Sequence, residues 1–188
     1  FGNAVSCNDH AEMWIHESFT TYMEALYVEY IYTKPDAQRY LNIQREWIKN
    51  VDPMVGPLNI NYTDFKSSDN YYKGSWMLHT LRSILNNDAL WFDILKELYN
   101  TYKYKHVTSK QIIDFIQQKS NRDLSGFFNQ YLYTAEIPTL EYKLSKRGER
   151  TVIEYQWKGV EEGFEMQFEL SLDGRNIKIP ASSKLRNT

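Results

Sequence analysis

The sequence predicts an α+β fold, mainly helical over residues 1–137 and closing with a small antiparallel β-sheet over residues 138–188. Three features predict it. Apolar residues recur every three or four positions from Ala11 to Ile31 and again in later segments, which is the signature of helices with one buried face. After Ile137-Pro138 the period changes to two: Phe164, Met166, Phe168, Leu170 and Leu172 alternate with Glu165, Gln167, Glu169 and Ser171, as in a strand with one face covered. Asp173-Gly174 then stands between that run and Ile177 and Ile179, a strong signal for a tight hairpin.

Each element has its own reason. Asp9 is a candidate N-cap for a long helix carrying Trp14, Phe19, Tyr22, Leu26 and Tyr30, which Lys34-Pro35 is expected to stop. A second helix is expected from Asp36, with Tyr40, Leu41, Ile43, Trp47 and Ile48 on its apolar side. Residues 51–70 hold proline, glycine and several Asn, Asp and Ser residues, and read as a loop. Helical spacing resumes over 71–85 and 88–104. Thr108-Ser109-Lys110-Gln111 has the form of a capping box ahead of Ile112, and a short helix is expected over 123–133. Two further strands are expected at Leu140–Leu144 and Val152–Trp157, with a turn at Arg147-Gly148.

Composition narrows the function. The chain has 188 residues, with 22 basic against 24 acidic side chains and a formal net charge of −2, so no nucleic-acid partner is expected. No apolar run approaches the ~18–20 residues of a membrane span. A single cysteine, Cys7, rules out an internal disulfide and any multi-cysteine metal site. The aromatic content, with 15 Tyr, 9 Phe and 5 Trp, fits a heavily packed core and is also compatible with a carbohydrate- or peptide-binding module.

The densest cluster of ligand-type side chains lies between Asp9 and Glu24. His16-Glu17 begins like the zinc-peptidase motif H-E-x-x-H, whose two histidines share a helix face. The position four after His16, however, is Thr20. Glu17 and Glu24 share one helix face two turns apart, bordered by Phe19, Tyr22 and Met23. Two exposed charges on a helix edge would account for them equally well. Tyr71, in Tyr71-Tyr72-Lys73-Gly74 at the mouth of a loop, is a candidate hydrogen-bond donor to a developing oxyanion. His10, His79 and His106 stand in no metal-ligand spacing.

Together, Phe1-Gly2-Asn3, Trp14-Ile15-His16-Glu17-Ser18-Phe19-Thr20 and Tyr71-Tyr72-Lys73-Gly74 resemble the aminopeptidase N and leukotriene hydrolase family of zinc metallopeptidases, the gluzincins. The family pattern is H-E-x-x-H, eighteen residues, then a glutamate, with the second histidine commonly followed by Q-W-F-G-N. Counting back from Glu17 puts that histidine three residues before Phe1, where Phe1-Gly2-Asn3 also puts it.

The resemblance implies the C-terminal part of a thermolysin-like catalytic domain followed by the start of a β-sandwich. It implies Glu17 as the third zinc ligand, Glu24 as the carboxylate that hydrogen-bonds a ligating histidine and Tyr71 as the oxyanion donor, with peptides as substrates. Ser18 departs from the family's usual glycine. Both zinc histidines and the general-base glutamate would lie in a missing N-terminal half of the parent, so the fragment alone is expected to be inactive and to hold no Zn2+. The alternative is a non-catalytic pseudo-peptidase used for binding or scaffolding. The compartment is not written in the sequence.

Overall fold

The computed structural model describes residues 1–148, 150–164, 166–172, 175–179 and 186–187. Among the described residues the fold is α+β, with six α-helices and short strands. It divides into two compact units, one made of Phe1–Asp123 with Tyr131–Ala135 and the other of Leu124–Gln130 with Glu136–Thr188.

The first unit carries the helices. β1 (Val5–Cys7) leads through a short 3-10 turn (His10–Glu12) into α1 (Trp14–Ile31), followed by α2 (Lys34–Arg45), α3 (Tyr72–Leu85), α4 (Asp88–Tyr102), β2 (Lys105–Val107) and α5 (Ser109–Ser120). α1 is the central element, packed against both α2 and α3. Trp14, Ile15, Phe19 and Tyr22 of α1, Met77, Leu78 and Leu81 of α3, Trp91 and Leu98 of α4, and Ile112 and Ile116 of α5 are all closed to solvent. Fully burying each such side chain contributes roughly 1.5–3 kcal/mol.

Local chemistry sets the boundaries, not always where the sequence suggests. Asp9 caps the 3-10 turn by accepting from the Ala11 N–H at 2.9 Å, so α1 starts five residues later, at Trp14. Lys34-Pro35 does not merely stop α1. It forms the first turn of α2, where proline's missing N–H costs nothing, behind Thr33 as N-cap. α2 ends at Arg45, which leaves Trp47 outside it and 57% exposed. Tyr27, Tyr30 and Ile31, which continue the helical spacing, are exposed rather than buried. Thr108 and Gln111 form the expected capping box on α5. Asn86 and Asn121 end α3 and α5 in the left-handed region.

Residues 46–71 run without a helix but are firmly tied. Met54 is buried, the Val55 N–H donates to the Leu132 carbonyl at 3.0 Å and the Gly56 N–H to the Ala11 carbonyl at 2.9 Å. β1 and β2 were not anticipated. They form a parallel pair in the register Val5↔Lys105 to Cys7↔Val107; three-residue strands are too short for a period of two to show.

In the second unit, β3 (Thr139–Arg147) and β4 (Arg150–Lys158) pair antiparallel from Thr139↔Lys158 to Arg147↔Arg150, with β7 (Arg186–Asn187) on the far side of β4. β5 (Phe168–Leu172) and β6 (Arg175–Ile179) pair from Phe168↔Ile179 to Leu172↔Arg175. The first strand therefore starts at Phe168 rather than Phe164. Phe164 instead sits in a turn, its N–H bonded to the Glu161 carbonyl and its buried ring edge-on to Trp157 at 5.8 Å. The Asp173-Gly174 turn lies outside the described residues. α6 (Ser125–Tyr133) has residues in both units.

Candidate functional site

The predicted site residues come from two helices that cross at very small separation. Ser18 of α1 is closed to solvent, and its hydroxyl donates to the Asn70 carbonyl at 2.7 Å, just ahead of α3. Opposite it stands Gly74 of α3. A Cβ on Gly74 would lie 1.7 Å from Ser18 Oγ and 2.5 Å from Ser18 Cβ, so only glycine allows the approach. This contact sets Glu17, next to Ser18, beside Tyr71, just before the first turn of α3.

The environment of Tyr71 agrees. The side chain is 41% exposed, and its phenol is pushed up from the ordinary value of 10.0 by partial burial first, then by a hydrogen bond to the Glu17 carboxylate and by that group's charge. The structure thus brings Glu17 and Tyr71 together, with the phenol protonated and able to donate.

The other residues of the Tyr71–Gly74 stretch hold the helix start in place. Lys73 is buried and its Nζ donates to the Thr134 carbonyl at 3.1 Å. Burial holds its ammonium below the usual lysine value, against the opposing charges of Asp69 and Asp52. Asp69, also buried, accepts from the backbone N–H groups of Lys49 and Asn50 at 2.8 and 2.7 Å, while its own carbonyl receives the Gly74 N–H at 3.0 Å. The loop and α3 are therefore one hydrogen-bonded assembly.

His16 is occupied elsewhere. Its Nε2 accepts from the Cys7 N–H at 2.8 Å, and burial lowers its pKa below 6.5, keeping it neutral as an acceptor must be. The segment before α1 is tied to the helix at a second point: the Gly2 N–H donates to Thr20 Oγ1 at 3.0 Å, and the Phe1 ring stacks on Phe19 at 4.5 Å. Glu24 lies on α1 as expected and is exposed. Its carboxylate Oε2 accepts from the Tyr40 hydroxyl of α2 at 2.7 Å.

Among the described residues no group of three His, Cys, Asp or Glu side chains stands ready to hold a metal ion. Glu17 suits the role of a single carboxylate ligand: it is half-exposed and it faces a phenol rather than a basic side chain. Sequence reasoning missed Tyr40 and the Ser18–Gly74 contact, though both left traces. Tyr40 and Glu24 each lie eight residues from Tyr32, so a tight helical hairpin sets them opposite one another. A glycine inside a helical pattern signals a close approach.

Comparison with known proteins places the chain in a family. Residues 1–131 match the peptidase family M1 domain. The chain is 24% identical over 201 aligned residues to aminopeptidase N of Lactobacillus helveticus, covering 98% of this chain and 23% of that protein. It is 28% identical over 152 residues to aminopeptidase N of Lactococcus lactis subsp. lactis, covering 74% and 18%. The chain thus spans about a fifth of the length of these relatives. Among solved structures, the fold resembles a mutant M1 zinc metallopeptidase of Deinococcus radiodurans bound to a Tyr-Ser-Ala substrate, at TM-score 0.60 and 19% identity over 72% of this chain and 31% of that one. It also resembles Legionella pneumophila aminopeptidase A in complex with aspartic acid, at TM-score 0.66 and 15% identity over 98% and 21%.

Proposed function

The chain belongs to peptidase family M1, and on that premise we propose that it forms part of a zinc-dependent aminopeptidase, which removes N-terminal residues from peptides. In this reading Glu17 is the third zinc ligand, Tyr71 the hydrogen-bond donor to the oxygen that gains negative charge, and Glu24 the carboxylate that orients a ligating histidine. These 188 residues hold no H-E-x-x-H; in this reading other polypeptide supplies both histidines and the general-base glutamate, and the segment alone neither retains zinc tightly nor hydrolyses peptides. A catalytic zinc site needs three protein ligands and an open position.

The observation that carries the reading is the pairing of Glu17 with Tyr71 across the Ser18–Gly74 contact. When bound, zinc would supply Lewis-acid polarisation of the scissile carbonyl. This chain's own part is to hold a carboxylate toward the metal and a protonated phenol toward the same carbonyl oxygen. A tyrosine's ordinary pKa, about 10, keeps that proton in place at neutral pH. Donors aimed at developing charge act mainly in the transition state.

Changing Tyr71→Phe in the intact enzyme should therefore lower kcat by ~10²–10³ while KM stays nearly constant. Steady-state kinetics on an aminoacyl chromogenic substrate measures both, and an unchanged kcat would remove Tyr71 from the mechanism. The alternative, a pseudo-peptidase, is tested by the sequence of the full gene: replacement of either histidine or of the glutamate of H-E-x-x-H would favour it.

A further inference from the structure

The hydrogen bond between Tyr40 and Glu24 has no part in the function proposed above, and neither residue belongs to the Glu17–Tyr71 contact. Tyr40 Oη donates to Glu24 Oε2 at 2.7 Å. No other hydrogen bond to the Glu24 carboxylate occurs among the described residues, so its second oxygen is left for another donor. One turn further along α2 lies Gln44, 4% exposed, with neither Nε2 nor Oε1 of its amide hydrogen-bonded. Burying an amide in that state is costly, ~1–3 kcal/mol for each unsatisfied group.

We infer that Tyr40 is a positioning residue, whose hydroxyl fixes one oxygen of Glu24 so that the other is presented to the histidine that Glu24 orients. The inference rests on the role proposed for Glu24. Three observations support it. A glutamate on an exposed helix face has several rotamers of similar energy, and one charge-assisted hydrogen bond selects among them. The donor comes from a separate helix, and it is rigidly placed because Thr33 and Pro35 set the start of α2. The phenol's pKa is raised chiefly by its hydrogen bond to Glu24, in keeping with the 2.7 Å contact between them.

Tyr40→Phe keeps the ring and deletes only the donor. Outer partners of metal ligands typically contribute 10–100-fold to metal affinity, and Tyr40 stands one bond further out. The test is the rate of zinc release to a chromogenic chelator from the intact enzyme. Four proteins are compared: wild type, Tyr40→Phe, Glu24→Gln and the double variant. Expected are release about threefold to tenfold faster for Tyr40→Phe, about 10–100-fold faster for Glu24→Gln, and no further acceleration when Tyr40→Phe is added to Glu24→Gln. Equal acceleration on both backgrounds would make Tyr40 a packing residue and overturn the inference, as would wild-type release from Tyr40→Phe. Wild-type release from Glu24→Gln would instead remove the underlying role of Glu24, and the inference with it.

Discussion

At the scale of single residues, Gly74 has the sharpest consequence. Its missing Cβ lets α3 approach Ser18 of α1, and that approach sets Tyr71 beside Glu17. Gly74→Ala should destabilise the fold by ~1–3 kcal/mol, the usual cost of overpacking, as read by urea denaturation. Ser18→Gly combined with it should recover part of the loss, because the new methyl then meets no hydroxyl although the Asn70 carbonyl loses its donor. If the double variant is no more stable than Gly74→Ala, the helix crossing is set by something else. Ser18 explains itself in the same contact: its hydroxyl bonds the Asn70 carbonyl, a link a glycine there would not make.

His16 gives a pH dependence whose sign is fixed. Burial depresses its folded-state pKa below 6.5, so below that value the unfolded chain binds the proton more readily than the native one. Its contribution is complete above 6.5 and is lost as pH falls through the folded-state pKa. His79, whose pKa burial also lowers, adds a fall of the same sign in the same window, whereas Glu29 and Asp88, lowered too, titrate in the acidic carboxylate range and act at lower pH. Denaturation midpoints between pH 8 and 5 should therefore fall, and His16→Gln should flatten that fall. An equally steep fall in the variant would mean that the Cys7–His16 bond does not contribute to it.

Among elements, the ion-paired cluster around Arg82 matters more than its exposed neighbours. Arg82 of α3 is 7% exposed and makes a forked contact with Glu29 of α1, at 2.6 and 2.9 Å, and another with Asp88 of α4, at 2.8 and 2.9 Å. Lys34 of α2 joins Asp88 from the solvent side at 2.7 Å. Arg82→Ala leaves Glu29 without a partner and Asp88 with Lys34 alone, and should cost about 3 kcal/mol, the lower end for breaking a buried pair. Lys34→Ala breaks an exposed pair and should cost under ~1 kcal/mol. Comparing the two by urea denaturation tests the ranking, and similar costs would contradict it.

Most of this layer was legible in the sequence wherever a helix announces itself by both period and cap. The capping box from Thr108 to Gln111 forms as its residues predict, and strands follow Pro138 as the change of period predicts, although β5 starts at Phe168 and not Phe164. Lys34-Pro35 was read as an end because proline disfavours helix at the residue before it. The structure uses the same proline as a start, and no local rule chooses between the two. The α1 stripe misled at its far end, since Tyr27, Tyr30 and Ile31 keep the spacing of buried residues yet face solvent. Periodicity reports a face, not what covers it.

At the scale of the molecule, legibility depends on separation along the chain. β1 and β2 pair residues one hundred positions apart, as in Val5↔Lys105, and three residues of strand carry too little pattern to be seen. The site divides in the same way. Glu17 and Tyr71 were visible as types in a motif, whereas their meeting depends on Ser18 and Gly74 and on a loop tied down by Asp69. Tyr40 was invisible as a functional residue, because a tyrosine on an amphipathic helix is ordinary and only the hairpin turn gives it Glu24 as a partner.

The stretch from Phe1 to Thr20 has a consequence for how such a sequence can change over time. It is pinned to α1 at three levels, by Phe1 on Phe19, by Gly2 to Thr20 and by Cys7 to His16, while β1 between them is locked to β2. A stretch held at so many points behaves as a ruler, and an added or deleted residue has nowhere to be absorbed. Length variation among descendants of this chain should therefore collect in exposed turns outside this stretch. The interval between Phe1 and Glu17 should keep its count even where its letters drift.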